Sequence, residues 1–217
     1  MLQAVFLRCV KAFYRILYLC VCNLRLLFFQ FIEQILCITH LKNAPLSCMI
    51  VLYYEKGQPN MHKYLVLSDS HGKTDALEMI LEKENDCSGF IYLGDGIRDI
   101  LFPSPYTFGK PVYSVRSMTD YAGSQRPLEL TLSIDGIPVY LCHGDHLGTD
   151  VKLGFDSLLM KGIYNKSSIC FFGHTHRQTI LTREGLLLFN PGAVKDGKYG
   201  ILTTDNGKYQ LEHRSIY

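Results

Sequence analysis

The first sixty residues lack any apolar run long enough to cross a membrane. The opening stretch MLQAVFLRCVKAFYRILYLCVCNLRLLFFQFIEQILCITHL is rich in aliphatic and aromatic residues, yet Arg8, Lys11, Arg15, Arg25 and Glu33 interrupt it. Its longest uncharged run, 16–24, is less than half of the ~20 residues a spanning helix needs. A secretory leader fits no better, because residues 20–23 offer no small-residue cleavage site and more apolar sequence follows them.

The chain also lacks a basic stripe. Of its 22 Lys and Arg, six lie in residues 1–60 beside two Glu, which leaves sixteen against eighteen acidic residues from Met61 onward. A body that is slightly acidic has no concentrated cationic face for a phosphate backbone, so no nucleic-acid partner is expected. A disulfide framework is missing too. Five cysteines (9, 20, 22, 37 and 48) fall in the first sixty residues, and only Cys87, Cys142 and Cys170 follow. Cys142 and Cys170 sit inside apolar runs where a free thiol behaves as a small core residue, and this implies a reducing, cytoplasmic compartment. There is no internal repeat and no low-complexity linker.

What remains is a globular composition, with 47% hydrophobic and 19% charged residues over 217 positions. That suffices for one domain with a large core and an extra segment. The composition changes at residue 61, and the chain is expected to divide into a hydrophobic extension, 1–60, and a domain, 61–217. Two readings of the extension stay open. Met61 opens MHKYLVLSDSHG and reads as a natural start feeding a first strand, which makes the start at residue 1 a mis-assigned one and residues 1–60 no part of the protein proper. Alternatively, the extension is an arm that docks on a membrane surface or a partner through its basic and aromatic side chains. Membrane contact is expected only through these residues.

From Met61 the pattern alternates. His62–Leu67 reads as a strand, and Thr74–Glu84 as an amphipathic helix with Leu77, Ile80 and Leu81 on one face. Phe90–Leu93 and Pro111–Val115 read as short strands that end in the polar loops GDGIRD and RSMTD. Leu128–Ile134 and Ile137–Cys142 flank the turn pair Asp135-Gly136 as a hairpin, and Asp150–Met160 reads as a second helix. After the apolar run SICFF the tail is strand-rich, over 178–182, 186–189, 199–204 and 209–213, with Asn206-Gly207 as a two-residue turn.

Polar residues gather where these strands end, the place where α/β folds build sites. Four loops follow in order: SDSHG with Asp69 and His71, GDG with Asp95, CHGD with His143, and GHTH with His174 and His176. All six side chains offer oxygen or imidazole donors. Mixed carboxylate and imidazole sets suit Mn, Fe, Zn, Ni or Co better than Ca or Mg, and the absence of a Cys pair in these loops argues against a structural zinc knot. A lone histidine at a strand end is usually a surface residue and a lone GD is usually a turn, so the ordered set carries the weight. Asp145 and His146 are read as groups that orient His143. His40, His62 and His213 have no partner pattern and are read as structural or solvent-facing.

On these motifs the chain resembles the calcineurin-like metallophosphoesterases, in particular the compact YfcE-like phosphodiesterases, whose motif order is D-x-H, GD, GN, HG and GHxH. The resemblance covers about Met61 to Tyr217 and extends to NPGA at 190–193, which is similar to the family's NPGS. It implies an α/β (α+β) fold, a four-layer αββα sandwich. It also implies a phosphodiesterase acting on a small-molecule phosphoester with two divalent ions, manganese first among them, and a bridging hydroxide. The implied first site is Asp69, His71, Asp95 and His176, and the second is Asp95, His143 and His174, with Asp95 bridging. Asp69, His71, Asp95 and His143 would carry the catalysis.

One departure stands out: where the family reads G-N-C-D, this chain has Ser117, Met118, Thr119 and Asp120. The thioether of Met118 is a poor donor in place of the family's ligating Asn, so the second ion is expected to bind more loosely unless Ser117 or Asp120 compensates. Thr119 leaves no proton donor for the leaving group, and this favours esters whose leaving group is already stabilised. The rival reading is a binding scaffold that has lost catalysis, similar to the retromer subunit built on the same architecture. A single-metal or monoester hydrolase uses most of the same residues.

Overall fold

The computed structural model describes residues 61–101, 105–121, 124–149 and 154–217, and the readings placed on residues 1–60, including His40, lie outside these. Within them the order is β1 (Met61–Leu67), α1 (Thr74–Lys83), β2 (Gly89–Tyr92), α2 (Ile97–Leu101), β3 (Val112–Ser114), β4 (Glu129–Ile134) and β5 (Ile137–Cys142). There follow α3 (Asp156–Tyr164), β6 (Ile169–Phe171), β7 (Thr179–Arg183), β8 (Leu186–Asn190), β9 (Lys198–Asp205) and β10 (Lys208–Ser215). None of the described helices is long and apolar enough to cross a membrane.

Ten strands form two five-stranded sheets, in the orders β10-β9-β1-β2-β3 and β4-β5-β6-β8-β7. β1, β2 and β3 run parallel, as do β5, β6 and β8. Alternation along each central strand decides which layer its side chains enter. On β1, Leu65 and Leu67 pack with Leu77, Ile80 and Leu81 of α1, while Tyr64 and Val66 turn inward to Val139, Phe171 and Phe189 of the other sheet. On that sheet, Tyr140, Cys142 and Cys170 face outward against Leu158 and Leu159 of α3. Three apolar cores between four layers of secondary structure make the expected αββα sandwich. Each fully buried Leu, Ile or Phe in them contributes about 2 kcal/mol.

Both turn pairs form as their sequence dictates. Asp135 and Gly136 have φ of 49° and 83°, and Asn206 and Gly207 have 48° and 78°, the all-positive geometry of a tight hairpin. Asp135 also closes one end of the sandwich. Its carboxylate accepts hydrogen bonds from Tyr64 (3.1 Å) and Thr204 (2.5 Å) and lies 2.9 Å from Nδ1 of His62, all on the opposite sheet. His62 therefore has a defined structural role. So does His213, which stacks on Phe189 with ring centroids 4.6 Å apart and donates from Nε2 to the carbonyl of Asn190 at 2.8 Å.

Two elements depart from expectation. The second helix begins at Asp156 and runs to Tyr164, rather than spanning Asp150–Met160. Gly154 takes φ 87°, outside the right-handed helical region, so the helix can start only beyond it, and Phe155 packs against Phe172 from the entry to the helix. The segment GDGIRD, read as a loop, passes into α2, where Ile97 and Ile100 are buried one turn apart.

Candidate metal centre

All six candidate ligands lie just past the carboxyl ends of parallel strands: Asp69 and His71 after β1, Asp95 after β2, His143 after β5, and His174 and His176 after β6. Backbone hydrogen bonds lash these loops together. Asp69 N–H donates to Gly94 O (3.0 Å), His71 N–H to Asp95 O (3.1 Å), and Gly173 N–H to His143 O (3.0 Å). His174 N–H crosses between the sheets to Oδ2 of Asp69 at 3.1 Å.

The backbone bends unusually at these positions. Asp69, His71, Asp95, His174 and His176 all have φ between 47° and 66°. Non-glycine residues rarely enter this left-handed region, and Asp and His tolerate it better than most. Five such residues at one site mark a conformation held by its surroundings. Gly173 allows the sheets to meet there, because a Cβ on it would collide with Ser68 Oγ and lie 2.9 Å from Asp69 Oδ2.

The side chains converge. His176 Nε2 lies 3.2 Å from Asp69 Oδ1 and 3.3 Å from His71 Nε2. Oδ2 of Asp95 lies 3.6 Å from both His71 Nε2 and His143 Nε2, and Asp69 Oδ1 lies 3.8 Å from His143 Nε2 and 3.9 Å from His71 Nε2. Two donors about 2.1 Å from one ion stand about 3.0 Å apart at right angles and about 3.4 Å apart at tetrahedral angles, so these spacings suit shared cations. Two overlapping groups have the reach to hold an ion: Asp69, His71 and His176, and Asp69, Asp95 and His143. The ring of His174 packs against His143, with centroids 5.4 Å apart, but belongs to neither group.

The strongest test of fit is an unmet demand. Asp69 Oδ1 and His143 Nε2 are fully buried and have no hydrogen-bond partner. A buried carboxylate oxygen left bare costs several kcal/mol, and a cation is the group that would satisfy it together with an imidazole lone pair. The tautomer agrees: Nδ1 of His143 lies 2.8 Å from the carbonyl of Leu93 and donates to it, which leaves Nε2 free to ligate. Leu93, rather than Asp145 or His146, therefore orients His143. Asp145 instead accepts the N–H of Met118 at 2.6 Å and of His146 at 2.8 Å, and His146 Nε2 pairs with Glu129 at 3.0 Å.

Charges at the site are coupled. His143 beside it, with the hydroxyls of Thr119 and Ser117, outweighs burial and holds Asp95 well below the usual carboxylate range. Burial pulls His143 down, but Asp95 and Asp69 reverse this and raise it above an ordinary imidazole. A cation therefore competes with a proton for this pocket.

The loop 117–120 does not behave as a ligand source. The side chain of Met118 is 63% exposed. Asp120 is consumed as an acceptor for four backbone N–H groups, those of Asp95 (2.8 Å), Gly96 (2.9 Å), Ile97 (3.1 Å) and Ser117 (2.9 Å). Burial pushes the Asp120 carboxyl up, and these four donors carry it below its usual value. Two supports had no role assigned from the sequence, although NPGA at 190–193 stood out as a motif. Asp99 accepts from Ser70 Oγ and from Gly72 N–H (2.9 Å), which braces the D-x-H loop. Asn190, buried, donates to Gly173 O (2.6 Å) and Thr175 Oγ1 (3.1 Å), which gives the NPGA motif its task of fixing the GHTH loop.

Sequence comparison places this geometry in a family. The model of the calcineurin-like phosphoesterase superfamily domain matches residues 62–207, and the chain belongs to that superfamily. No curated protein sequence matches the chain significantly. Among solved structures, a predicted phosphoesterase from Streptococcus pneumoniae is similar at 21% identity and TM-score 0.57, covering 73% of this chain and 91% of that one. An archaeal phosphodiesterase is similar at 18% identity and TM-score 0.56, over 70% of this chain and 99% of its own. Vacuolar Protein Sorting 29 from Cryptosporidium parvum is similar at 16% identity and TM-score 0.54, over 72% and 98%. These likenesses share the fold.

Proposed function

We propose that this protein is a metal-dependent phosphodiesterase with a dinuclear centre, manganese first among its metals, acting on a small-molecule phosphoester in the cytoplasm. Family membership supports phosphoester hydrolysis, and the archaeal phosphodiesterase of the same fold supports the diester. The carrying observation is the pair of buried, unpartnered donors, Asp69 Oδ1 and His143 Nε2, inside a ring completed by His71, Asp95 and His176. When bound, two divalent ions supply an activated water and neutralise charge on the phosphoryl oxygens.

The chain's own residues do the rest. Asp69, His71 and His176 would hold one ion and Asp69, Asp95 and His143 the other, and the family resemblance would add Asp95 to the first and His174 to the second. Exposed His174 stands beside His143, with ring centroids 5.4 Å apart. Thr119 gives its hydroxyl hydrogen to Asp95 and has none for a leaving group. Esters with aryl-like leaving groups are therefore the better substrates.

The second reading, a binding scaffold, is favoured by one feature: the exposed thioether of Met118 at the position of the family's ligating Asn. One assay separates the two. An aryl phosphodiester and the matching monoester are offered to the protein with Mn(II) and with chelator. Mn-dependent cleavage of the diester supports the hydrolase, preference for the monoester makes it a phosphatase, and no cleavage by metal-loaded protein leaves the scaffold.

A further inference from the structure

Each of the two carboxylates at the centre has one oxygen occupied by the protein and one facing the imidazoles. For Asp69 the occupied oxygen is Oδ2, bonded to His174 N–H. For Asp95 it is Oδ1, which accepts from Ser117 Oγ at 2.8 Å and from Thr119 Oγ1.

A count of hydrogens shows how fully Oδ1 is used. Ser117 Oγ accepts the N–H of Asp120 at 2.9 Å, so its own hydrogen is free for Asp95. The two hydroxyls lie 2.9 Å apart, and each has one hydrogen to give. With both directed to Asp95, the two lone pairs of Oδ1 are filled. A bridge that uses one carboxylate oxygen per ion is then closed, and Oδ2 alone, 3.6 Å from His71 and from His143, faces the ions. Asp120 freezes the loop that carries the two hydroxyls through its four backbone acceptor contacts. Asp145 holds Met118 N–H while the Met118 side chain stands in solvent.

We propose that Ser117 and Thr119 are positioning residues that clamp Asp95 so that only its Oδ2 is offered to metal. Metal would be held through Asp95 Oδ2 together with the imidazoles that face it, His71 and His143. In this chain the loop 117–120 has replaced a ligand by a hydroxyl clamp, and control of the metal passes from Met118 to its two neighbours. The inference rests on the metallophosphoesterase reading above.

The test is Mn(II) titration of the chelator-stripped full chain, with free Mn(II) followed by electron paramagnetic resonance. S117A/T119V is expected to bind Mn(II) about 10-fold more weakly than wild type, as loss of groups that orient ligands does. T119S, which keeps the hydroxyl, should match wild type. If the double variant fails to fold, T119V alone, altering an exposed residue, gives the same comparison with a smaller shift. Unchanged constants in S117A/T119V would overturn the clamp and leave the hydrolase reading intact. No Mn(II) binding by wild type would remove the metal-dependent reading and the clamp with it.

Discussion

Glu84 and Asp69 are both buried carboxylates, exposed by 2% and 0%, yet they are treated in opposite ways. Glu84, at the end of α1, has every lone pair engaged: Tyr199 OH donates at 2.8 Å, Arg214 at 2.9 and 3.2 Å, and Lys63 pairs at 2.7 Å. It staples the helix to β1, β9 and β10. Asp69 lies in an equally dry place and keeps Oδ1 bare. A satisfied buried charge belongs to the fold, whereas an unsatisfied one is kept for something that arrives later. The difference separates structure from function more sharply than burial or residue type does.

The comparison breaks most visibly at Asp69. Asp69→Asn should abolish Mn(II) binding and lower diester cleavage by about 1,000-fold or more, because the metal-supplied chemistry is lost. Thermal stability without metal should hold or rise. A stable, fully active Asp69→Asn protein would end the metal reading. Glu84→Ala should do the reverse, costing about 3 kcal/mol of stability by stranding Lys63 and Arg214, with metal content unchanged in the folded protein. Denaturant midpoints and elemental analysis check both halves.

Glu84 also sets a pH window. Burial raises its pKa, but Lys63, Tyr199 and Arg214 outweigh burial and hold it below the usual carboxylate value. Its folded pKa is depressed, so its contribution is fully present above the unfolded carboxyl value and is lost as pH falls through the folded one. Acid denaturation should therefore steepen below about pH 4 in wild type and flatten in Glu84→Gln. A smaller effect is expected from Asn190→Ala, which loosens the GHTH loop and should weaken Mn(II) binding about 10-fold. The smallest comes from Met118→Asn, which should tighten the second ion and quicken turnover by about a few-fold. Equal metal content and equal rates in both proteins would show that the Met118 position does not matter.

Much of this architecture could be read in the chain before folding. The alternation of β1, the i, i+3, i+4 spacing of α1 and the two turn pairs each express a local rule, and each formed as expected. All six donors lie at strand ends, as loop order and parallel strands dictate, but only five enter the two candidate ion groups and His174 stands outside them. The start of α3 was misplaced because one glycine with positive φ outweighed a run of good helix formers. α2 was missed because two buried isoleucines in a polar segment give too short a period to recognise.

The roles of Asp120, Asn190 and Asp99 were hidden for a different reason. Each acts through contacts with backbone groups or hydroxyls of residues distant in sequence, and no spacing encodes such a contact. The bare oxygen of Asp69 was equally invisible, since only a three-dimensional count of partners shows that one is missing.

β1 begins beside the Asp135 clasp and ends two residues before Asp69, so the two faces of the sandwich are fastened at opposite poles by different means. One pole is riveted by side chains made with the chain. At the other, donors from both sheets meet, and a captured ion would serve as the second rivet. Amide exchange should then be uneven along the same strand, with chelation quickening it near Asp69 and Gly173 while Tyr64 and Thr204 keep their protection. Metal supply would thus set how easily one pole of the molecule parts, and the other pole would hold its shape through repeated loading and loss.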